Sequence, residues 1–124
     1  MIAVDTSALS AFLKGETGKD MDRLLEALLS GNLRLPPVVV TEILSDPKAA
    51  PTVFQPLSNV ELLEITDGYW QRAGHTRRTI LAKGLKAKIA DSLIAQSCID
   101  HDVALIARDT DFRHFAKHCG LKLA

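Results

Sequence analysis

The sequence predicts an α/β fold, a three-layer α/β/α sandwich around a mainly parallel central sheet. Short apolar runs at 2–4, 33–35, 60–65 and 103–106 alternate with stretches of helical periodicity, the pattern of strands buried on both faces and joined by crossover helices. The chain has 124 residues, 47% hydrophobic and 24% charged, which suits one domain spanning 1–124 that buries about two thirds of its unfolded surface. With 5% aromatics, twelve Gly and Pro residues together and no apolar run near the roughly 20 residues of a membrane span, collagen-like, disordered and membrane classes are excluded. The start Met1-Ile2-Ala3-Val4-Asp5 lacks the order of a secretory signal. Two cysteines, Cys98 and Cys119, make no disulfide framework, so a cytoplasmic location with reduced thiols is expected.

Each element has a local reason. Ile2 to Val4 ends abruptly at the polar Asp5-Thr6-Ser7, after which Leu9, Phe12 and Leu13 recur at helical spacing until Gly15. From Thr17, the series Met21, Leu24, Leu25, Leu28 and Leu29 makes a second amphipathic helix, with acids near its start and Gly31-Asn32 at its end. Leu33 to Leu35 is a strand stopped by Pro36-Pro37, and Pro37 can open a helix to Leu44, with a strand as the competing reading because Val38 to Val40 are β-branched. Three prolines make 46–56 a loop with at most one helical turn, and Val60 to Ile65 alternates as a third strand. Helices are then expected from about Asp67 to Lys83, from about Leu85 to Asp100 and from Asp109 to His118, with a strand at Val103 to Ile106, a stop at Gly120 and an edge strand at Leu121 to Leu123.

Fifteen basic and fifteen acidic side chains cancel, yet they are unevenly placed. Residues 1–67 carry five Lys/Arg against ten Asp/Glu, whereas 68–90 carry six and no acid: Arg72, Arg77, Arg78, Lys83, Lys86 and Lys88, with His75 among them. A solvated helix face is one reading of that stretch, and a polyanion-binding patch is the other.

In an open parallel sheet, ligands bind beyond the carboxyl ends of the strands. Asp5 follows the first strand, Glu42 lies about two turns into the helix after the second, and Asp109 follows Val103 to Ile106. Asp91 is framed by apolar and small neighbours in Ile89-Ala90-Asp91-Ser92-Leu93-Ile94-Ala95, so it needs a cation or a hydrogen-bond partner. Taken one at a time, helix capping explains Asp5, Asp91 and Asp109, and a surface position explains Glu42. Four such acids converging on one rim would instead repel unless a cation joined them. All-oxygen ligation suits Mg²⁺ or Mn²⁺ better than zinc, for which His101, His114 and His118 offer no suitable spacing. Such an ion activates water and neutralises a phosphate oxygen, which makes phosphodiester hydrolysis its natural use. Arg77, Arg78, Lys86 and Lys88 are the candidates for binding the phosphates, because the cationic stretch ends three residues before Asp91.

Four motifs in order carry a resemblance: Val4-Asp5-Thr6-Ser7-Ala8-Leu9, Val40-Thr41-Glu42-Ile43-Leu44, Ile89 to Ala95, and Leu105-Ile106-Ala107-Arg108-Asp109-Thr110-Asp111-Phe112. They resemble the PIN-domain nucleases and, within them, the VapC-type toxins of toxin–antitoxin pairs. The resemblance implies a PIN-like fold and a metal-dependent endoribonuclease. Its acids would be Asp5, Glu42, Asp91 and Asp109, with Mg²⁺ or Mn²⁺ held mainly by Asp5, Asp91 and Asp109 and with Asp111 as a substitute for Asp109. It further implies contacts from Thr6 and Ser7 beside the first acid, for which capping of the first helix is the alternative, together with an RNA substrate, a cognate antitoxin and a homodimer.

Two other readings compete. One is a PIN-like module that grips RNA or an antitoxin without cutting. The other is a receiver-like phosphoacceptor domain, which would need an acidic pair after the first strand and a lysine after the last core strand; Asp5 stands alone, and Ala107-Arg108-Asp109 offers an acid instead. Tyr69 and Trp70 either stack bases or, more in keeping with the start of an amphipathic helix, pack in the core or in a dimer seam. Cys98, between apolar neighbours, reads as a small core hydrophobe.

Overall fold

The computed structural model describes residues 1–124. The elements run β1 (Ile2–Val4), α1 (Thr6–Leu13), α2 (Lys19–Ser30), β2 (Leu33–Leu35), α3 (Pro37–Leu44), a 3₁₀ turn at Gln55–Leu57, β3 (Glu61–Leu62), α4 (Tyr69–Leu81), α5 (Ile89–His101), β4 (Ala104–Ile106) and α6 (Phe112–Cys119). Every strand pairing is parallel, in the order β3-β2-β1-β4. Successive strand side chains point to opposite faces, so the burial of Ile2, Ala3 and Val4 in a row shows that β1 is covered on both sides. This is the expected α/β architecture, and no helix is long and apolar enough to cross a membrane.

Strand order explains where a site forms. From β1 the chain crosses to β2 and on to β3, and it then returns past β1 to β4. After α6 it continues outward, where Leu123 pairs parallel to Leu105 on the far side of β4. The connections leaving β1 and β4 therefore diverge, opening a crevice between neighbouring strands at their carboxyl ends. The Asp5 amide, donating to the Ile106 carbonyl at 2.9 Å, carries the β1–β4 pairing to the very lip of that crevice.

Several boundaries differ from expectation. The third strand shrinks to Glu61–Leu62, although Leu63 still donates its amide to Leu35 and is buried. Residues 85–88 are not helical: Lys88 is extended (φ −63°, ψ 150°), and α5 begins at Ile89, which puts Asp91 in its first turn. The segment is held open by Arg77, whose Nε donates to the Ala87 carbonyl at 2.7 Å. Likewise 109–111 form a turn rather than helix, because the Asp109 side chain accepts the Asp111 amide and gives the backbone a local alternative to helical bonding. The last strand reduces to the single bridge at Leu123.

A polar seam joins α4 and α5. Arg72 donates from Nε and Nη2 to the two oxygens of Asp100 at 3.0 and 2.6 Å, and these bonds hold the Asp100 carboxyl below its ordinary range. Gln96, buried, donates to Asp100 and accepts from Thr76, while the Tyr69 hydroxyl donates to the Leu93 carbonyl at 2.6 Å. Tyr69 is thus a core residue, whereas Trp70 beside it is 63% exposed. Cys98 lies in the core, where burial pushes its thiol up to about 12, so it is no nucleophile.

Two glycines separate conformational need from mere permissiveness. Gly18 has φ +143°, and a Cβ there would come within 2.7 Å of the Asp20 carboxylate and 3.4 Å of the Arg108 guanidinium. Gly74 lies inside α4 with nothing near a built Cβ. Gly18→Ala should therefore lower stability by about 1–3 kcal/mol, and Gly74→Ala should raise it by about 1 kcal/mol. Urea unfolding of the two variants against the parent measures both signs.

Candidate functional site

The crevice between β1 and β4 gathers acids from four connections. Asp5 is the N-cap of α1: Oδ1 accepts the Ala8 amide at 2.8 Å, Oδ2 accepts the Ser7 hydroxyl at 2.6 Å, and the residue is only 2% exposed. Burial raises its carboxyl above the ordinary range against the pull of those bonds, and Asp109 raises it further. Capping of α1 thus belongs to Asp5, which frees Thr6 and Ser7 for other work. Thr6 donates its hydroxyl to Glu42 Oε1 at 2.6 Å, tying α1 to α3. Ser7 Oγ donates to Asp5 and accepts the Asp109 amide at 3.1 Å, so one hydroxyl couples the acid after β1 to the acid after β4.

Asp91 projects into the same space from the first turn of α5. Its Oδ2 is buried and has no hydrogen-bond partner. Burial, followed by the charge of Asp109 and smaller contributions from Glu42 and Asp5, raises this carboxyl to about 6, and Lys88 only partly offsets them. The other three expected acids therefore all lie within electrostatic reach of Asp91. Oxygens of Asp91, Asp109 and Asp111 come within 4.8 Å of one another, a spacing that can hold a metal ion. Asp5 stands just behind that trio, with each of its oxygens engaged by a bond from α1. Asp111 thus lies in the cluster alongside Asp109. A buried, unpartnered oxygen beside two further carboxylates is costly for a protein alone and fits a divalent cation with hard oxygen ligands.

The basic candidates divide. Lys88 is the N-cap residue of α5 and lies close enough to Asp91 to act on its charge, and Lys86 is exposed two residues earlier. Arg77 braces the intervening backbone at Ala87. Arg78 is exposed on α4 beside Gly74 and Leu81. Arg72, which inflates the cationic run in the sequence, is neutralised by Asp100. Arg108, missed from sequence, turns away from the acids. Its guanidinium donates to both oxygens of Asp20, to Glu16 and to the Thr17 carbonyl at 2.7 to 3.2 Å, locking the 16–20 segment to the residue before Asp109. A lysine poised as in a receiver domain is thus replaced by a structural arginine. Sequence separation hid this clamp, since its partners are about ninety positions apart.

The sign of the pH response follows from Asp91. Unfolded, it titrates near 3.8, and folded, near about 6, so the folded chain retains a proton that the unfolded chain releases. The carboxyl costs nothing below the lower value, costs increasingly more as pH rises to the upper one, and a constant amount beyond. In EDTA, Asp91→Asn should therefore melt above the parent at pH 7.5, with the gap closing towards pH 4, and Mg²⁺ or Mn²⁺ should raise the melting temperature of the parent but not of the variant. Differential scanning calorimetry with and without metal checks both.

Comparison with known proteins agrees with this architecture. Among solved structures, VapBC2 from Rickettsia felis bound to a DNA fragment from its promoter superposes with a TM-score of 0.77 at 21% identity, covering 100% of this chain and 98% of that one. FitAcB from Neisseria gonorrhoeae gives a TM-score of 0.71 at 16% identity, covering 99% and 96%. At those identities the likeness is one of fold, and no curated protein matches by sequence. The PIN domain family matches residues 2–118, from β1 through α6, and the chain belongs to the PIN domain family.

Proposed function

We propose that this protein is a divalent-metal-dependent endoribonuclease of the VapC type, the toxin of a toxin–antitoxin pair acting in the cytoplasm. The observation that carries the reading is Asp91, which has a buried oxygen with no protein partner and a carboxylate oxygen at metal-binding spacing from Asp109 and Asp111. Asp91, Asp109 and Asp111 would hold the ion, with Asp5 close behind. The all-oxygen donor set favours Mg²⁺ or Mn²⁺ over zinc. When bound, such an ion lowers the pKa of an attacking water and neutralises charge on the phosphate.

The chain's own contribution is orientation. Ser7 holds Asp109 in register with Asp5, and Thr6 fixes Glu42 so that its carboxylate can orient a water on the α3 side of the cluster. Lys86 and Lys88 border the acids at the entry to α5 and would draw the RNA backbone to the rim, and the exposed Arg78 would extend that path along α4. Arg77 supports it indirectly through Ala87. The fold likeness to VapBC2 supports a cognate antitoxin as partner, and the family resemblance of this chain's motifs adds a second copy of the chain.

Cleavage of tRNA and other structured RNAs in Mn²⁺ tests the proposal. Asp5→Asn, Asp91→Asn and Asp109→Asn should each reduce cleavage to background with an unchanged circular dichroism spectrum, and full activity in any of them would refute the assignment. Ser7→Ala removes only the coupling hydroxyl, so it should cost about tenfold to a hundredfold in rate. RNA binding without hydrolysis, across several RNAs and metals, would leave a binding module instead.

A further inference from the structure

Beside the acid cluster lies a groove of about 630 Å³ between α1, α3 and the segment 46–53. Its lining includes Thr6 and Glu42, the pair joined by the 2.6 Å bond, so it reaches the Glu42 member of the acid group. Leu13, Ile43 and Val53 make an apolar floor. Lys14 and Lys48 stand exposed on its rim, and Asp46 lines it with one carboxylate oxygen accepting the Lys48 amide at 2.9 Å.

We propose that this groove seats one unpaired nucleobase of the RNA strand next to the scissile phosphate and selects a base that carries an exocyclic amine. The inference rests on the nuclease reading for its substrate. Its volume lies within the range of small-molecule sites, and an apolar floor bordered by polar side chains suits a base, with two π faces and one polar edge. Continuity with Glu42 restricts the occupant. A chain threaded through the acids at its scissile phosphate has its neighbouring nucleotide at this opening, and the two rim lysines complement the phosphates flanking that nucleotide. Asp46 supplies acceptors only, which match the exocyclic amine of cytosine, adenine or guanine, whereas uracil offers a single ring N3–H flanked by two carbonyl oxygens that a carboxylate repels. No side chain in the groove is aromatic, so the base is held by apolar contact and edge recognition instead of ring stacking.

Ala50 is exposed on the groove lining, where a larger side chain fills the groove without entering the core. The experiment measures cleavage of single-site oligoribonucleotides in which each base near the cut is replaced in turn by uracil or by an abasic ribose. It also records the fluorescence of an aminopurine placed at that position in short RNA, with Ca²⁺ replacing Mg²⁺. In the parent, loss of the seated base should lower kcat/KM about tenfold. Ala50→Trp should abolish that discrimination and the fluorescence change while still cutting the abasic substrate at the parental rate, and Asp46→Ala should remove only the preference over uracil. Unchanged discrimination in Ala50→Trp overturns the proposal. So does loss in that variant of binding to an antitoxin tail peptide alone, which assigns the groove to protein. If no RNA is cut but the fluorescence response appears in the parent and vanishes in Ala50→Trp, the nuclease reading fails while the groove assignment stands.

Discussion

Mutual repulsion among carboxylates is the constraint around which this molecule is built. Asp5, Glu42, Asp91 and the neighbouring Asp109 and Asp111 come from four separate places in the chain, and left alone each would retreat towards water or take up a proton. The fold prevents the first by anchoring them. Asp5 is captured as an N-cap, Asp109 is held through the Ser7 hydroxyl, Glu42 is held through Thr6, and Asp91 is carried on the first turn of a helix with a buried face. The second shows in the raised carboxyls of Asp91 and Asp5. Stability is thereby given up at one rim and recovered elsewhere, chiefly in the core packed against β1 and in the seam between α4 and α5.

That arrangement depends on topology more than on any single contact. Because β1 and β4 are neighbours whose onward connections part in opposite directions, their terminal residues face an open crevice with two helix N-termini close by. Arg108 then stiffens the crevice from behind. By drawing Glu16, Asp20 and the Thr17 carbonyl onto one guanidinium, it stops the loop before α2 from swinging away from the residues that follow β4. Its geometry is bidentate towards Asp20, the kind of ion pair whose directional fit outlasts solvent screening better than a single contact would.

Much of this was legible in the amino-acid order. β1, β2, α1 and α3 fall where hydrophobic period and the Pro36-Pro37 pair place them, and Asp5 and Asp109 directly follow the neighbouring strands β1 and β4. What periodicity could not reveal was competition from side chains. Leu85 to Lys88 has helix-compatible composition, yet Arg77 takes the Ala87 carbonyl and leaves the segment extended. Asp109 to Asp111 likewise looks helical until the aspartate claims a backbone amide for itself. Charge counting along the chain misleads for a related reason: Arg72 adds to the cationic stretch, though its partner Asp100 sits 28 positions away on the neighbouring helix. Membership of Asp111 in the trio, the unpartnered oxygen of Asp91 and the Arg108 clamp all require spatial neighbours that no window along the chain contains.

The two margins of the sheet are treated differently, and this bears on how the chain behaves at high concentration. On one side, the Leu123 bridge occupies the hydrogen-bonding edge of β4, with the Leu105 amide donating to Lys122 and the Ala124 amide donating to Leu105. On the other, β3 is only two residues long and carries Glu61, which pairs with Arg34. A ribbon so short and charged offers an incoming strand almost nothing to template on, so a sheet made entirely of parallel pairings can stay dispersed without a barrel's closure.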